Sequence, residues 1–466
     1  MVRNIIWGSA ALILLLAACK SRVPELMVSQ EERLVYRVME TPQATGGDPD
    51  RGFYYLTHSG YIGGALPAEL YQKLLDTYTD TVLRREGPAG HLPYPMIYYQ
   101  GAGGVNMVSG SCFTCHASAL NGRIVFGLGN SFSDFRPNNA GQTRLLALAS
   151  RMKFDKDSPE RAAADHALGY FRAITPRIMT DNPNVNPAFR LEEACAAQRN
   201  PADLTYRRQP VFMMNTFNIG SDTPPLWNVA KKQALYYNGM GRGDFTKLLM
   251  QASVLGIADS TAAREVQQSF DDVLAWLRSI TPPAWPEAVD PSLAAAGEVI
   301  FLDKCSKCHG RYGAEETYPN KMVPLAEIKT DSLYALYFLR AGLDDWYNSS
   351  WFATSQPRSE MRPSAAYIAP PLDGIWASAP YLHNGSVPTL AALLDSRIRP
   401  DYWSRSGDSR DYDYAAVGWR YTTESNGRGK NTYNATLPGY ENIGHYFADT
   451  LSDTQRTALL EYLKTL

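Results

Sequence analysis

The sequence lacks an excess of either charge. Its 466 residues carry 45 Lys and Arg against 47 Asp and Glu, a net charge of −2. No basic surplus is there to hold a phosphate backbone, so no nucleic-acid partner is expected. Long apolar runs are missing too. The longest, Ile5 to Ala18, has fourteen residues, whereas a bilayer-spanning helix needs about twenty. Hydrophobic residues still make up 45% and charged residues 20%, which excludes wholesale disorder. The length suits two or three domains. Histidine is scarce, at seven. Cysteine is scarcer, at six, and four of these fall into one pattern used twice.

Cys19 closes the apolar run. The N-terminus carries Arg3, then the apolar stretch, then Leu16-Ala-Ala-Cys19. A positive start, a short apolar core and small residues before a cleavage point form a secretory signal over residues 1–18. The ending resembles a bacterial lipobox, which implies cleavage before Cys19 and lipid on that residue. Acyl chains would then hold the protein at a membrane surface without a spanning helix. Position 20 is Lys rather than Asp, so the expected location is the periplasmic side of the outer membrane, with the cell surface as a further option.

The repeated pattern is Cys112-Phe-Thr-Cys115-His116 and Cys305-Ser-Lys-Cys308-His309. On one helical turn two thiols lie close enough to add across the vinyl groups of a haem, and the adjacent imidazole then points at the iron. This is the attachment pattern of haem c. Zinc would need four ligands in one place, and the two copies lie 190 residues apart. Two disulfides in an oxidising compartment would leave both histidines unexplained. Two covalent haem c groups are therefore expected, with His116 and His309 as proximal iron ligands. Cys195, in Leu-Glu-Glu-Ala-Cys-Ala-Ala, reads as an inert, part-buried thiol on a helix.

Residues 19–50 look like a tether. Leu66–Tyr78 has helical apolar spacing after an early Pro. Arg264–Ile280 is amphipathic and stops at Thr281-Pro282-Pro283. Pro291 opens a helix through Phe301 that leads into Cys305 and resembles the first helix of small class I c-type cytochromes; Gly297 would let another helix approach. The final helix, Leu451 to Leu466, begins with a Ser452–Gln455 capping box. Val273-Leu-Ala-Trp-Leu-Arg-Ser-Ile280 aligns with Leu459-Leu-Glu-Tyr-Leu-Lys-Thr-Leu466, so each half reads as a haem motif, a long middle and a closing helix. The expected fold is mainly α, with two cytochrome c-like haem domains, 51–282 and 283–466, bearing long loop-rich insertions.

Ala369-Pro-Pro-Leu-Asp-Gly-Ile-Trp-Ala-Ser-Ala-Pro-Tyr-Leu-His383-Asn-Gly, taken with both haem motifs, resembles the bacterial di-haem cytochrome c peroxidase superfamily. Asn384, the Pro-Pro-Leu lead and the closing Gly444-His445 and Glu461–Leu466 segments are closer to its rubber-oxygenase-like branch. The resemblance implies a reactive N-terminal haem on Cys112, Cys115 and His116, reducing peroxide or activating dioxygen. It implies an electron-relay haem on Cys305, Cys308 and His309, fed by a small redox-protein partner. A non-catalytic di-haem electron carrier is the alternative.

A relay iron wants two strong axial ligands. His445, just before the last helix, is the favoured distal ligand of the second haem, and His383 the next choice; the resemblance otherwise implies a place for His383 near the haem propionates or the inter-haem contact. The methionine that peroxidase relatives use after the signature is absent, because position 397 is Arg. No His lies between 116 and 166, so the first haem is expected open or water-bound; His58, His91 and His166 remain candidates. The glutamate base of peroxidase relatives is missing near the first motif, since no Glu lies between 86 and 160. Asp134 and Arg136 are the nearest charged candidates for catalysis. Trp227, in Thr223-Pro-Pro-Leu-Trp227, is the candidate inter-haem aromatic or pocket wall. Ser378 and Pro380 stand where peroxidases supply oxygens to an interdomain calcium.

Overall fold

The computed structural model describes residues 38–214 and 217–466. The expected signal peptide and the lipid-bearing Cys19 lie outside the described residues. Helix makes up 40% and strand 13%. The longer helices are α1 (Pro49–His58), α2 (Ala140–Lys153), α3 (Pro159–Ile174), α4 (Ala188–Ala197), α5 (Ser260–Ser279), α6 (Pro291–Lys304), α7 (Leu333–Phe338), α8 (Leu343–Ser349) and α9 (Asp453–Leu463). Between them run short antiparallel pairings, such as Met96–Gln100 on Asn106–Gly110 and Ala117–Leu120 on Arg123–Phe126. Among the described residues no helix is long and apolar enough to cross a membrane.

Two helix crossings frame the molecule, and local chemistry sets both. Asp48 accepts from the Asp50 and Arg51 amides, with Pro49 in the first turn of α1; Asp290 does the same for Ser292 and Leu293, with Pro291 opening α6. Both combine a side-chain cap with a proline whose missing N–H costs nothing at that position. The expected capping box of α9 is formed by Ser452 and Gln455. Helix α6 meets α9 at Gly297, where a Cβ would lie 2.0 Å from the Ala458 carbonyl oxygen. Helix α1 meets α5 at Gly52, where a Cβ would lie 2.1 Å from the Asp272 carbonyl oxygen. An aromatic pair seals each crossing, Phe301 on Tyr462 at 5.2 Å and Phe53 on Trp276 at 5.5 Å.

Several expectations change here. The stretch expected as a tether is bound to the body from Val38 onward: Val38 is buried, Gln43 donates to the Gly243 carbonyl, and the Ala44 carbonyl accepts from Arg278. The expected helix over 66–78 is broken into two strand residues, a tight turn at Ala68–Tyr71 and a short helix Gln72–Thr77, because Leu66 and Pro67 pair with Val108 and Met107. The division at 282/283 does not separate two cores. Tyr334, Tyr337, Trp346 and Tyr347 of α7 and α8 share one apolar core with Phe113, Phe189 and Phe270, and Gly241–Gly243 pairs with Ser359–Met361. In the other direction, Leu120, Leu128 and Trp227 join the core built on Phe301, Leu459 and Tyr462. The halves are interlocked by exchanged segments.

Candidate functional site

Cys305 ends α6, and Ser306–His309 forms one further helical turn. That turn brings Cys305, Cys308 and His309 to one wall of a large cavity, whose far side holds Leu390, Leu394, His445 and Phe447. The cavity holds about 220 Å³, and its walls are largely apolar, with Phe301, Leu390, Leu394, Phe447 and Leu459 among them.

The two histidines face each other across it. The ring centres of His309 and His445 are 6.3 Å apart. Two imidazoles sharing one metal at about 2 Å each have ring centres roughly 6 Å apart. His309 Nδ1 donates to the Pro370 carbonyl at 2.8 Å, which fixes the tautomer and leaves Nε2 free to ligate. His445 Nδ1 is buried with no partner. The His445 backbone is held at φ +50° beside Gly444 at φ +80°, and its amide donates to the Ile328 carbonyl. Burial, helped by the neighbouring His309 and Arg399, pushes the His445 imidazole down to about 3. Burial also lowers His309. Both rings are neutral near pH 7, the form a metal needs.

His383 is in the same cavity but otherwise engaged. It stacks on Tyr367 at 4.3 Å, with Nε2 3.1 Å from the Tyr367 hydroxyl, which itself donates to the Asp331 carbonyl. Burial pushes this imidazole down to about 3. His383 thus forms wall rather than facing His309.

The first motif has the same local form. Phe113–His116 is one helical turn after Cys112. The Tyr61 hydroxyl accepts from the Cys112 amide at 2.9 Å, Asn186 Nδ2 donates to Cys115 Sγ at 2.8 Å, and the His116 carbonyl accepts from Gly127. Phe113 packs on Phe53, Phe126 and Trp276. Burial pushes the His116 imidazole down to about 4, opposed in part by the Pro224 carbonyl. That carbonyl lies beside the ring without reaching hydrogen-bond geometry, so Nδ1 has no bonded partner. All five described cysteines are free thiols. Burial pushes Cys112 up to about 11 and Cys305 up to about 12.

A repeat that the sequence reading did not recognise ties the two sites together. Thr223-Pro-Pro-Leu through Tyr237-Asn-Gly239 and Ala369-Pro-Pro-Leu through His383-Asn-Gly385 share one spacing without a gap. The backbone repeats as well. Tyr236 and Leu382 sit at φ +67° and +68°, Gly239 and Gly385 at +59° and +66°, and Leu235↔Gly241 matches Tyr381↔Val387. The Pro224 carbonyl beside His116 corresponds to the Pro370 carbonyl that anchors His309. The visible signal was the doubled Pro-Pro-Leu with Asn-Gly fourteen residues beyond.

The remaining candidates separate. Trp227 is buried, donates Nε1 to the Asp373 carbonyl at 2.8 Å, and lies against Gly127 and Gly374. It therefore spans from the hairpin behind His116 to the cavity wall. Asp134 and Arg136 pair with each other at 2.7 Å in a partly exposed position and are not among the cavity residues. Arg136 holds the Asp134 carboxyl below its usual range, which unfits it for proton transfer near pH 7. His58 stacks on Tyr54, His91 bonds the Tyr78 carbonyl, and His166 packs on Tyr170. Ser378 lines the cavity, and among the described residues no group of three or more His, Cys, Asp and Glu converges as a metal cage.

Comparison with known proteins agrees with this geometry over one segment. A family model described as "RoxA-like, cytochrome c-like" matches residues 366–404. The chain has a RoxA-like, cytochrome c-like relationship there. Those residues hold the Pro370 anchor, Tyr367, His383 and Leu390, all of which line the cavity. The relationship supports haem c, and with it iron, as the cofactor class, and a haem c oxidoreductase type of role. Two proteins of Sinorhizobium fredii (strain NBRC 101917 / NGR234) are similar, both named only as uncharacterized. The protein y4iM is 27% identical over 294 residues, 53% of this chain and 64% of its own length. The protein y4iJ is 30% identical over 253 residues, 40% of this chain and 41% of its own. The chain thus spans less than two thirds of either relative.

Proposed function

We propose that the chain is a lipid-anchored, di-haem c-type oxidoreductase of two cytochrome c-like halves, related to di-haem peroxidases and oxygenases. One haem would be held by Cys112, Cys115 and His116. The other would be held by Cys305, Cys308 and His309, with His445 as its second axial ligand. The observation that carries this reading is the 6.3 Å separation of the His309 and His445 rings beside the second Cys-x-x-Cys-His turn. Haem iron supplies one-electron and oxygen chemistry when bound.

The protein residues then have distinct roles. His309 and His445 fix an unchanging ligand shell, which suits electron relay. Pro370 orients His309. Trp227 packs between the first motif and the second cavity. Among the described residues no histidine ring packs on His116, and the haem there would be the one to take a small oxidant, peroxide or dioxygen. Glu192 is tied to the wall of the second cavity through Tyr236. Burial pushes its carboxyl up to about 7, and Tyr236, which lines the cavity, donates to it at 2.9 Å. A carboxyl poised near neutrality is suited to accept and return a proton. A small redox protein would exchange electrons, and acyl chains on Cys19 would hold the molecule at the outer membrane.

The bis-histidine geometry of the second site would also serve a pure electron carrier. Protein made in a cytochrome-maturing bacterial strain decides between them. Mass spectrometry is expected to show two added haems, and the oxidised spectrum one low-spin and one high-spin iron. Two low-spin irons favour the carrier. An unmodified mass rejects both readings.

A further inference from the structure

The cavity holds one cation that the chain itself does not neutralise. Lys232 lines it, and among the described residues its ammonium has no hydrogen bond and no ion pair. The other charged groups on the walls are already matched. Lys304 pairs with Asp303 and Lys307 with Glu327 at the mouth. Asp373 takes Lys231 at 2.5 Å. Asp222 accepts from the Tyr237 hydroxyl at 3.1 Å, burial raises its carboxyl well above the usual carboxylate range, and it forms no ion pair with Lys232. Around Lys232 the walls are Pro224, Pro225, Tyr236 and Tyr237. Burial pushes the ammonium down to about 8, still mostly charged near pH 7, and that charge acts on His116 as well.

An isolated buried charge is costly, of the order of several kcal/mol, unless an anion meets it. The equivalent position in the second repeat is Ser378, so the cation belongs to the first repeat only. We propose that Lys232 is the anchor for a carboxylate of the haem in the C-terminal cavity, and that this ion pair helps set that haem's reduction potential. The inference rests on the proposed haem reading. An ammonium beside a haem carboxylate disfavours the additional positive charge of the oxidised iron, so its removal lowers the potential. It acts through the carboxylate, which makes Lys232 a positioning residue.

The test uses the full-length holoprotein and its Lys232→Met variant, read by mass spectrometry and by spectroelectrochemical titration at fixed pH. The variant is expected to keep both haems, because the thioether links do not involve Lys232. Its low-spin haem is expected to change its oxidised-to-reduced ratio about tenfold at fixed poise, equivalent to about 59 mV downward for one electron. Lys232→Arg should restore the wild-type value, and Lys232→Gln, which keeps polarity without charge, should behave like Met. Unchanged potentials in Met and Gln variants that carry both haems overturn the proposal. A wild-type protein without haem would instead overturn the functional reading on which it rests.

Discussion

Alanine at Gly297 tests the helix crossing that presents the second haem motif. Its Cβ would stand 2.0 Å from the Ala458 carbonyl oxygen, 2.6 Å from the carbonyl carbon and 2.8 Å from Tyr462 Cβ. All of these are backbone or near-backbone atoms, so no rotamer change relieves the overlap and α6 must move away from α9 by roughly 1 Å. Overpacking a tight site costs about 1–3 kcal/mol. For a unit of 150–250 residues each kcal/mol lowers Tm by about 2–4 °C, so the expected loss is about 2–12 °C. Gly52→Ala meets the Asp272 carbonyl oxygen at 2.1 Å and should lose a similar amount. Gly169, in the middle of α3, is the control: an added Cβ meets nothing within 4 Å, and alanine there should stabilise by about 0.5–1 kcal/mol. Thermal unfolding followed by circular dichroism gives all three values. If Gly297→Ala and Gly52→Ala unfold no earlier than Gly169→Ala, the two crossings are not packed on glycine and the argument for paired frames is wrong.

Three further outcomes follow from the site. His445→Ala should turn the low-spin iron high-spin in the oxidised spectrum, whereas His383→Gln should leave it low-spin; the opposite pattern would exchange their roles. Cys305→Ser combined with Cys308→Ser should remove both thioether links of the second haem, read as haem released by acid-acetone extraction, with the first haem retained. The buried His383 also predicts a pH dependence. Its imidazole is pushed down to about 3 in the fold against about 6.5 in the unfolded chain, so its contribution is complete above pH 6.5 and declines as pH falls toward 3. The slope is on the order of 1 kcal/mol per pH unit. Denaturant unfolding of His383→Gln between pH 7 and 4 should therefore decline less steeply than wild type, and parallel curves would refute the assignment.

Some of this was legible in the sequence because the controlling chemistry is local. Asp290-Pro291, Gly297 and the Ser452–Gln455 box set helix ends and a close approach by themselves, and α5, α6 and α9 fall close to where the pattern places them. Helix α1 was missed although Asp48-Pro49 and Gly52 carry similar signals, because 60 residues separate Gly52 from Cys112 where only eight separate Gly297 from Cys305. The strand at Leu66 was hidden because its register depends on Val108 and Met107, far along the chain. The shared cores could not be foreseen from apolar spacing, which shows that a helix has a buried face but not which half buries it. Lys232 and Glu192 escaped for the same reason: both look like ordinary surface charges until the fold encloses them.

The repeated Pro-Pro-Leu…Asn-Gly segment brings two similar frames to one cavity. In both copies a proline carbonyl stands beside the motif histidine, and a residue at positive φ turns the following side chain inward. The second copy places His383 at that turn and is completed by His445; the first places Tyr237 there and adds Lys232, where the second has Ser378. A scaffold constrained by its backbone turns thus leaves a few side-chain positions free to differ. Both turns deliver their side chains, Tyr237 and His383, to one cavity, where the two rings lie 6.3 Å apart. On the proposed reading both copies would wall the second haem, and the cation at Lys232 would come from the first copy alone.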